Sequence, residues 1–325
     1  MTTYHRIILA ALLLAFGVVT LGAYVRLSDA GLGCPDWPGC YGKITPHSAA
    51  AAIDAQLARQ PDGPVSHAKA WKEMVHRYFA GTLGLLILVI ALLAWRRSRD
   101  GAGKALALLL LGVVVFQAML GMWTVTQLLK PVIVSSHLLG GMTTLSLLTW
   151  LWLRERRRPV LGARRGEALR GAAFLGLLLV AVQIALGGWV STNYAALACP
   201  DFPTCHGAWL PPMDFEQGFT LHRKLGETAT GALLPLTALT AIHWTHRVMA
   251  LLVTLYLGWL VVRLLRTPGQ ATMGGVVGAL LTLQVSLGIS NVVFSLPLPV
   301  AVAHNAGAAL LLSSMVWLNF RLRRR

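Results

Sequence analysis

Eight apolar stretches, each long enough to cross a bilayer as a helix, limit what this chain can fold into. A helix of roughly 18 to 20 apolar residues spans a hydrocarbon core of about 30 Å. Only 12% of the residues are charged, whereas a soluble domain carries about 25%. Because lipid offers no partner to a backbone N–H or C=O, each stretch must close its own hydrogen bonds, and the sequence predicts an all-α, polytopic membrane protein. The stretches lie near residues 7–25, 75–94, 105–122, 134–153, 171–190, 243–262, 272–290 and 301–320.

Basic residues are concentrated in every second connection between these stretches. Connections on the cytoplasmic side are enriched in Lys and Arg, so we expect both termini inside and the long loops 26–74 and 191–242 in the periplasm, with the chain in a bacterial inner membrane. This distribution argues against a nucleic-acid partner, despite the net charge of +16. The first stretch lacks a convincing cleavage site, and we interpret it as a retained span. The clusters are Arg96, Arg97, Arg99 and Lys104, then 154–170, then Arg263 and Arg266, then 321–325.

An internal repeat divides the chain into two halves. Residues 21–25 and 34–42 recur at 186–190 and 199–207, and further matches follow in later stretches. Each copy holds four apolar stretches, an even number, so both halves enter the membrane in the same orientation. The sequence therefore predicts two tandem four-helix bundles related by a pseudo-twofold axis along the membrane normal. Their boundaries are 1–153 and 171–325, joined by the cytoplasmic connector 154–170.

Four of the ten histidines lie near the outer ends of apolar stretches, two in each half: His76 and His137, then His246 and His304. An ionisable side chain within a span usually faces the bundle interior or a functional site. Two imidazoles from different helices can bind both axial positions of one heme iron. Zinc would need more ligands than the spans of each half offer. A lone histidine is more often structural, but this pair recurs, so we predict one heme site in each half.

Glu73 distinguishes the first half from the second. It precedes His76 by three positions, which places both side chains on one helix face, whereas the equivalent position in the second half is His243. The structural alternative is a carboxylate stabilised by the dipole at a helix N-terminus. The difference between the halves favours one substrate heme beside an acid/base group and one heme that is a fixed electron carrier. The cations that we expect to pair with heme propionates are Arg77, Arg223, Lys224 and Arg247.

All four cysteines lie in the long outer loops as two pairs, Cys34 with Cys40 and Cys199 with Cys205. An oxidising exterior favours a disulfide in each pair. So short a loop gains only about 2 kcal/mol from its disulfide, which makes bulk stability a weak explanation. A rigid cover over each heme, a thiol/disulfide redox step and a zinc site shared by both loops remain as alternatives. Between the first pair and the second stretch, residues 48–60 predict a short extramembrane helix.

Together these motifs resemble the heme A synthase family, the membrane enzymes that convert heme O to heme A for cytochrome oxidase assembly. The resemblance covers essentially the whole chain. It implies oxidation of a methyl substituent of heme O to a formyl group through hydroxylated intermediates. Such a reaction needs a base, and we expect Glu73 to be this catalytic residue, where it would deprotonate or position water. The resemblance also implies that the substrate heme binds at the histidine pair of the first half and a heme b cofactor at the pair of the second half. The motifs are Glu73-Met74-Val75-His76-Arg77, Ser136-His137, His243-Trp244-Thr245-His246-Arg247, Ala303-His304-Asn305 and both Cys loops.

The expected partners are heme O, the lipid bilayer, heme O synthase and an electron acceptor that the sequence does not identify. Three other functions fit parts of the pattern. A di-heme b-type electron-transfer cytochrome would explain four histidines without using Glu73, and a heme exporter or chaperone is a second alternative. A transporter with parallel repeats is the third, but it gives the paired histidines no task. The sequence leaves the oligomeric state open.

Overall fold

A computed structural model describes residues 2–97, 101–156 and 168–323 of the chain. Within these ranges the regular secondary structure is helical, and eight helices are long and apolar enough to cross a membrane, which confirms the predicted all-α, polytopic fold. The spans are α1 Thr3–Leu27, α3 His67–Arg97, α4 Gly101–Thr126, α5 Pro131–Glu155, α6 Arg170–Thr192, α8 Leu236–Leu265, α9 Ala271–Val293 and α10 Leu298–Leu322; two shorter helices are α2 Ala50–Arg59 and α7 Phe215–Gly218. Of the predicted basic segments, Arg99, residues 157–167 of the connector, Arg324 and Arg325 lie outside the described residues.

The eight spans pack as two squares of four helices. In the first half, α1 and α4 each pack against α3 and α5, so α3 and α5 occupy opposite corners. In the second half, α6 and α9 each pack against α8 and α10, which likewise occupy opposite corners. The halves meet where α5 and α10 pack against each other, α5 also against α6 and α10 also against α1. These matching contacts agree with the tandem arrangement, and the pseudo-twofold axis and the domain boundaries stay predictions.

The packed core fills one end of the bundle. Its large, fully buried side chains include Ile87 of α3, Leu148 of α5, Leu257 of α8 and Met315 of α10, all in the part of each helix remote from the Cys loops. Between helices in lipid, close packing rather than removal from water holds such side chains together. We call the opposite end, formed by the loops that carry the four cysteines, the disulfide end. The core leaves this end of the bundle free to enclose a cavity.

Two helices begin about two turns earlier than hydropathy predicted, the largest differences among the eight spans. The second and sixth spans were expected to start at residues 75 and 243, but α3 starts at His67 and α8 at Leu236. The added turns of α3 contain Lys72 and Glu73, whose polarity removes them from a hydropathy signal although they are helical. Since a helix rises about 1.5 Å per residue, His76 lies roughly 14 Å below the start of its helix. The histidines of these two helices are therefore well inside the bundle.

The first outer loop forms a small covering layer at the disulfide end. Helix α2 confirms the short extramembrane helix that was predicted over residues 48–60. Its Ile53 belongs to one buried cluster with Met74 of α3 and with Cys34 and Cys40. The second outer loop instead has the 3₁₀ turn Ala195–Leu197 and the single turn α7. The two halves therefore share their spans but differ in the cover above them.

Candidate functional site

A cavity of about 1960 Å³ occupies the disulfide end of the bundle. Its wall includes residues from both halves, and all four predicted histidines and Glu73 contribute to it. Pockets for small ligands usually measure about 300–1,000 Å³. This cavity therefore has room for more than one large ligand, and it connects the two predicted heme sites.

The four histidines reach the cavity as two diagonal pairs. His76 of α3 and His137 of α5 come from opposite corners of the first half, as do His246 of α8 and His304 of α10 in the second. Within each pair both imidazoles line the same cavity. The structure thus brings together the same pairs that the repeat indicated, from helices at opposite corners of each four-helix square.

The donor set of this cavity fits heme. Buried Nδ1 atoms of His76, His137 and His304 have no hydrogen-bond partner among the described residues, and a buried nitrogen without a partner costs free energy. Among the described residues, no group of three or more His, Cys, Asp or Glu side chains could hold a metal ion. An iron already held by a porphyrin needs only two axial ligands from the protein. Each histidine pair supplies that number.

A glycine of a neighbouring helix faces each imidazole. A Cβ atom at any of these glycines would lie closer to the ring than the roughly 3.5–4.0 Å of an ordinary carbon contact, so a side chain there would displace the imidazole. The Leu-Gly dipeptides were visible in the repeat, but spacing alone does not tell which helix face meets a histidine. The distances from such a Cβ to the ring Cε1 are 3.1 Å from Gly22 to His76, 3.2 Å from Gly121 to His137, 3.1 Å from Gly187 to His246 and 3.1 Å from Gly288 to His304.

Three glutamines, each one helical turn before a glycine of this set, contact the facing histidine. The sequence alone assigned none of these glutamines a role. Their side-chain amides face the cavity, where a buried polar group needs a partner. The amide nitrogen of Gln117 donates to the carbonyl oxygen of His137 at 2.5 Å, that of Gln183 donates to the carbonyl oxygen of His246 at 3.1 Å, and that of Gln284 lies 3.3 Å from Nε2 of His304.

Glu73 is buried on the cavity wall with both carboxylate oxygens engaged. Its Oε2 accepts a hydrogen bond from the backbone N–H of Cys34 at 2.9 Å, and its Oε1 forms an ion pair with Nη2 of Arg77 at 2.6 Å. Helix α3 begins six residues earlier, at His67, so the carboxylate does not lie in the first turn. The alternative of a helix-dipole partner is therefore wrong, because that effect is confined to the first turn. Glu73 instead links the helix that carries His76 to the first disulfide loop.

In the second half, His243 takes the place of Glu73. Its Nε2 accepts a hydrogen bond from Nε of Arg247 at 3.1 Å, one helical turn further along α8. Arg77 and Arg247 thus have the same relation to the residue four positions earlier, but only in the first half is that residue a carboxylate. The two sites have the same arrangement of helix, histidine and arginine, but the first has the carboxylate of Glu73 where the second has the imidazole of His243.

Arg77 and Arg247 also hold the two Cys loops. Nη1 of Arg77 donates to the carbonyl oxygens of Asp36 at 2.8 Å and Gly39 at 2.5 Å. Charge-assisted hydrogen bonds of this kind are stronger than neutral ones. Both arginines line the cavity, and their pairing with propionates stays a prediction. Arg247 makes the equivalent bonds in the second loop, at 2.8 Å each, to the carbonyl oxygens of Cys199, Asp201 and Thr204.

Both cysteine pairs are disulfides, Cys34–Cys40 and Cys199–Cys205, with Cα atoms 4.9 and 4.7 Å apart. The alternative of one zinc site shared by both loops is therefore wrong, since each sulfur already bonds its partner. The four cysteines are buried, so each disulfide lies beneath its loop rather than on the protein surface.

An aspartate closes the turn of each disulfide loop. Asp36 accepts the backbone N–H groups of Tyr41 and Gly42, both at 2.6 Å. Asp201 accepts the Thr204 hydroxyl and two backbone N–H groups in the second loop, and these bonds lower the pKa of Asp201 to about 2. Hydrogen bonds to the charged form explain that direction. Each loop is held by its aspartate and by an arginine as well as by its disulfide.

Arg223 and Lys224 do not reach the cavity, contrary to the prediction that they meet heme propionates. Arg223 is buried in its own loop, where Nη2 donates to Oδ1 of Asn193 at 2.5 Å and burial lowers the pKa of the guanidinium. Lys224 is exposed and lies 3.8 Å from a carboxylate oxygen of Glu227. Arginine and lysine side chains are long enough to point toward the cavity or back into their own loop. Here the partners within the loop, Asn193 and Glu227, hold them away from the cavity.

The two halves meet at the disulfide end through equivalent positions of the repeat. Nη2 of Arg26 donates to the carbonyl oxygen of Ser191 at 2.7 Å, and the Tyr194 hydroxyl donates to Oδ1 of Asp29 at 2.8 Å. The guanidinium of Arg26 also lies 4.0 Å from the centre of the Tyr194 ring. Each hydrogen bond joins residues 165 positions apart, which is the offset of the repeat in this region. This cluster closes the cavity wall between the two histidine pairs.

Comparison with known proteins places this architecture in one family. Residues 5–316 match the family described as cytochrome oxidase assembly protein, COX15-CtaA. A heme A synthase of Shewanella oneidensis is 44% identical over 306 residues, which cover 94% of this chain and 92% of that protein. Heme A synthases of Halalkalibacterium halodurans and Beijerinckia indica are 28% and 29% identical, over 71% and 93% of this chain and 72% and 88% of their own lengths. The chain, with its paired histidines in an eight-span bundle, belongs to the heme A synthase family of cytochrome oxidase assembly proteins.

Proposed function

We propose that this protein oxidises the methyl substituent of heme O to the formyl group of heme A, for cytochrome oxidase assembly. The observation that carries the proposal is a difference between two matching histidine sites. Both halves present a diagonal histidine pair to one cavity, and among the described residues only the first half adds a buried carboxylate, Glu73. One site is therefore suited to hold a heme while a proton is removed, and the other is suited to hold a heme unchanged.

The substrate heme O is proposed to bind between His76 and His137. Three apolar side chains on the wall of this half, Leu85 and Leu88 of α3 and Val115 of α4, are also exposed on the outer surface of the helices. In a bilayer this surface faces acyl chains. We propose that heme O enters here from the membrane, supplied by heme O synthase.

Glu73 is proposed to be the catalytic base. Removing electrons and protons from a methyl group requires an electron acceptor and a group that takes the protons. The bonds from Cys34 and Arg77 hold the carboxylate in one orientation on the cavity wall, one helical turn before His76. Such orientation is what a general base contributes beyond its proton affinity.

The histidines His246 and His304 are proposed to hold a resident heme b. When bound, this group would accept and pass on single electrons, which amino-acid side chains do poorly. His246 and His304 would hold this heme, and His243 leaves the second site without a carboxylate base at the position of Glu73. The conversion also requires an electron acceptor outside this protein, and water or dioxygen to supply the formyl oxygen.

We propose a bacterial inner membrane location with both termini in the cytoplasm and the disulfide end in the periplasm. The sequence bias of Lys and Arg toward the opposite end supports this orientation. Labelling of single cysteines introduced at Ile44 and at Arg266, with a reagent that does not cross membranes, tests it in intact cells. Labelling at Ile44 and not at Arg266 is expected, and the reverse pattern would contradict the orientation.

The alternative is a di-heme b-type cytochrome, favoured by the repeated histidine frame itself. Purified protein should be supplied with heme O and an oxidant, and the pigments extracted and separated. Heme A beside heme B is expected for the wild type, with a matched Glu73→Gln variant retaining heme O unconverted. Recovery of heme B alone from both proteins, with no conversion of heme O, would favour the cytochrome.

A further inference from the structure

The glycines that face the four histidines belong to four copies of one motif, and one copy differs. Three copies, on α4, α6 and α9, read Gln-x-x-Leu-Gly. The fourth, on α1, reads Val-x-x-Leu-Gly and begins with Val18. The copies occupy residues 18–22, 117–121, 183–187 and 284–288.

The motif combines a space and an amide. Its glycine makes room for the imidazole, and its glutamine lies one helical turn away on the same face, since residues four apart are neighbours on a helix. The amide nitrogens of Gln117 and Gln183 donate to the carbonyl oxygens of the facing histidines, and that of Gln183 also lies 3.1 Å from a ring nitrogen of His246. Gln284 approaches the ring of its histidine directly. Each glutamine thus ties its histidine to a neighbouring helix.

His76 is the histidine without such a tie. Val18 lines the cavity one turn from Gly22, in the position that Gln183 holds in the second half. A valine can fill this space but offers no hydrogen bond. Among the residues that the structure describes, no side chain donates a hydrogen bond to His76, and its buried Nδ1 has no partner. The copy that departs from the motif is therefore the one whose glycine faces His76, on the helix that also carries Glu73.

We propose that the glutamines are positioning residues that make three histidines firmly held heme ligands, and that Val18 leaves His76 as the weakly held ligand whose bond breaks first. This inference rests on the proposed function, because it assigns the weakly held ligand to the substrate site. Groups that orient a ligating histidine typically change metal affinity by about 10- to 100-fold. A substrate heme must leave after oxidation, whereas a resident electron carrier must stay. Release then begins when the iron–nitrogen bond at His76 breaks and both bonding electrons remain on the imidazole.

Two reciprocal substitutions test this inference in the full chain in detergent. Release of heme to an excess of apomyoglobin is followed by absorbance. The first site is observed in a His246→Ala background and the second in a His76→Ala background, so that each rate belongs to one site. Val18→Gln supplies the missing amide, and Val18→Met is the matched control that adds volume without one. Gln183→Val copies the first half into the second, and Gln183→Met is its control for volume.

Val18→Gln should slow release from the first site by about 10-fold or more, while Val18→Met should release heme at the rate given by Val18. Gln183→Val and Gln183→Met should both accelerate release from the second site. The electron paramagnetic resonance signal of the low-spin ferric heme reports the relative orientation of the two imidazole planes. This signal should change in Val18→Gln, which adds an amide, and stay unchanged in Val18→Met, which adds only volume.

Equal release rates and equal signals for heme-loaded Val18→Gln and Val18→Met would overturn the inference, even where Gln183→Val fails to fold. Failure of the proposed function would give a result distinct from this one. If the protein binds no heme through either histidine pair, the heme assignment falls and this inference with it. Normal heme binding with unchanged release rates overturns only the role of the glutamines.

Discussion

The glycine that faces each imidazole allows a sharp test of the proposed heme b site. In Gly187→Ala the new Cβ would lie 3.1 Å from Cε1 of His246. Carbon atoms in ordinary contact are about 3.5–4.0 Å apart, so the ring must retreat by roughly 0.4–0.9 Å. Productive ligand geometry tolerates about 0.5 Å. We therefore expect the variant to fold and to hold its resident heme about 10-fold more weakly, as other losses of ligand orientation do.

Gly258→Ala is the matched control for this substitution. Gly258 lies on α8, the helix of His246, and a Cβ there would meet no atom within 4 Å. Alanine is favoured over glycine within a helix by about 0.5–1 kcal/mol, so both variants should keep or raise the stability of the heme-free bundle. The assay compares heme content per chain after passage over a heme-scavenging column, with thermal unfolding measured in parallel. Equal heme retention in the two variants would refute the proposed steric role of Gly187.

Further substitutions separate the two sites. His246→Ala and His304→Ala should each abolish the bis-histidine spectrum of the resident heme, and an unchanged spectrum in both would contradict that assignment. Glu73→Gln should keep heme bound and reduce conversion of heme O by about 100-fold or more, within the usual contribution of a positioned base, and wild-type conversion would return the carboxylate to a structural role. Replacing Cys34 and Cys40 together by alanine should lower conversion more than stability, because a disulfide this short contributes only about 2 kcal/mol; normal heme A yield per folded protein would show that the first loop needs no disulfide.

The sequence predicted the bundle and its histidines better than the contacts of its charged residues. Spans were recognisable because their length and polarity are local properties. The starts of α3 and α8 were placed too late. In α3 the reason is that helical turns containing Lys72 and Glu73 lack an apolar signal. Arg223 was expected at the cavity and instead bonds Asn193, since a flexible cation takes whichever acceptor the loop brings near it. No pattern in the sequence predicted that Asn193 would be this acceptor.

The amino-acid sequence by itself determined the number and helical nature of the spans and the recurrence of the histidine pairs, because a bilayer imposes its constraints on each segment separately. Only the tertiary structure decided that Gly22 faces His76, that Glu73 bonds the loop of Cys34, and that one cavity joins both pairs. These relations depend on which faces of distant helices meet. The same apolar spacing permits several such rotations, and close packing of all eight spans selects one.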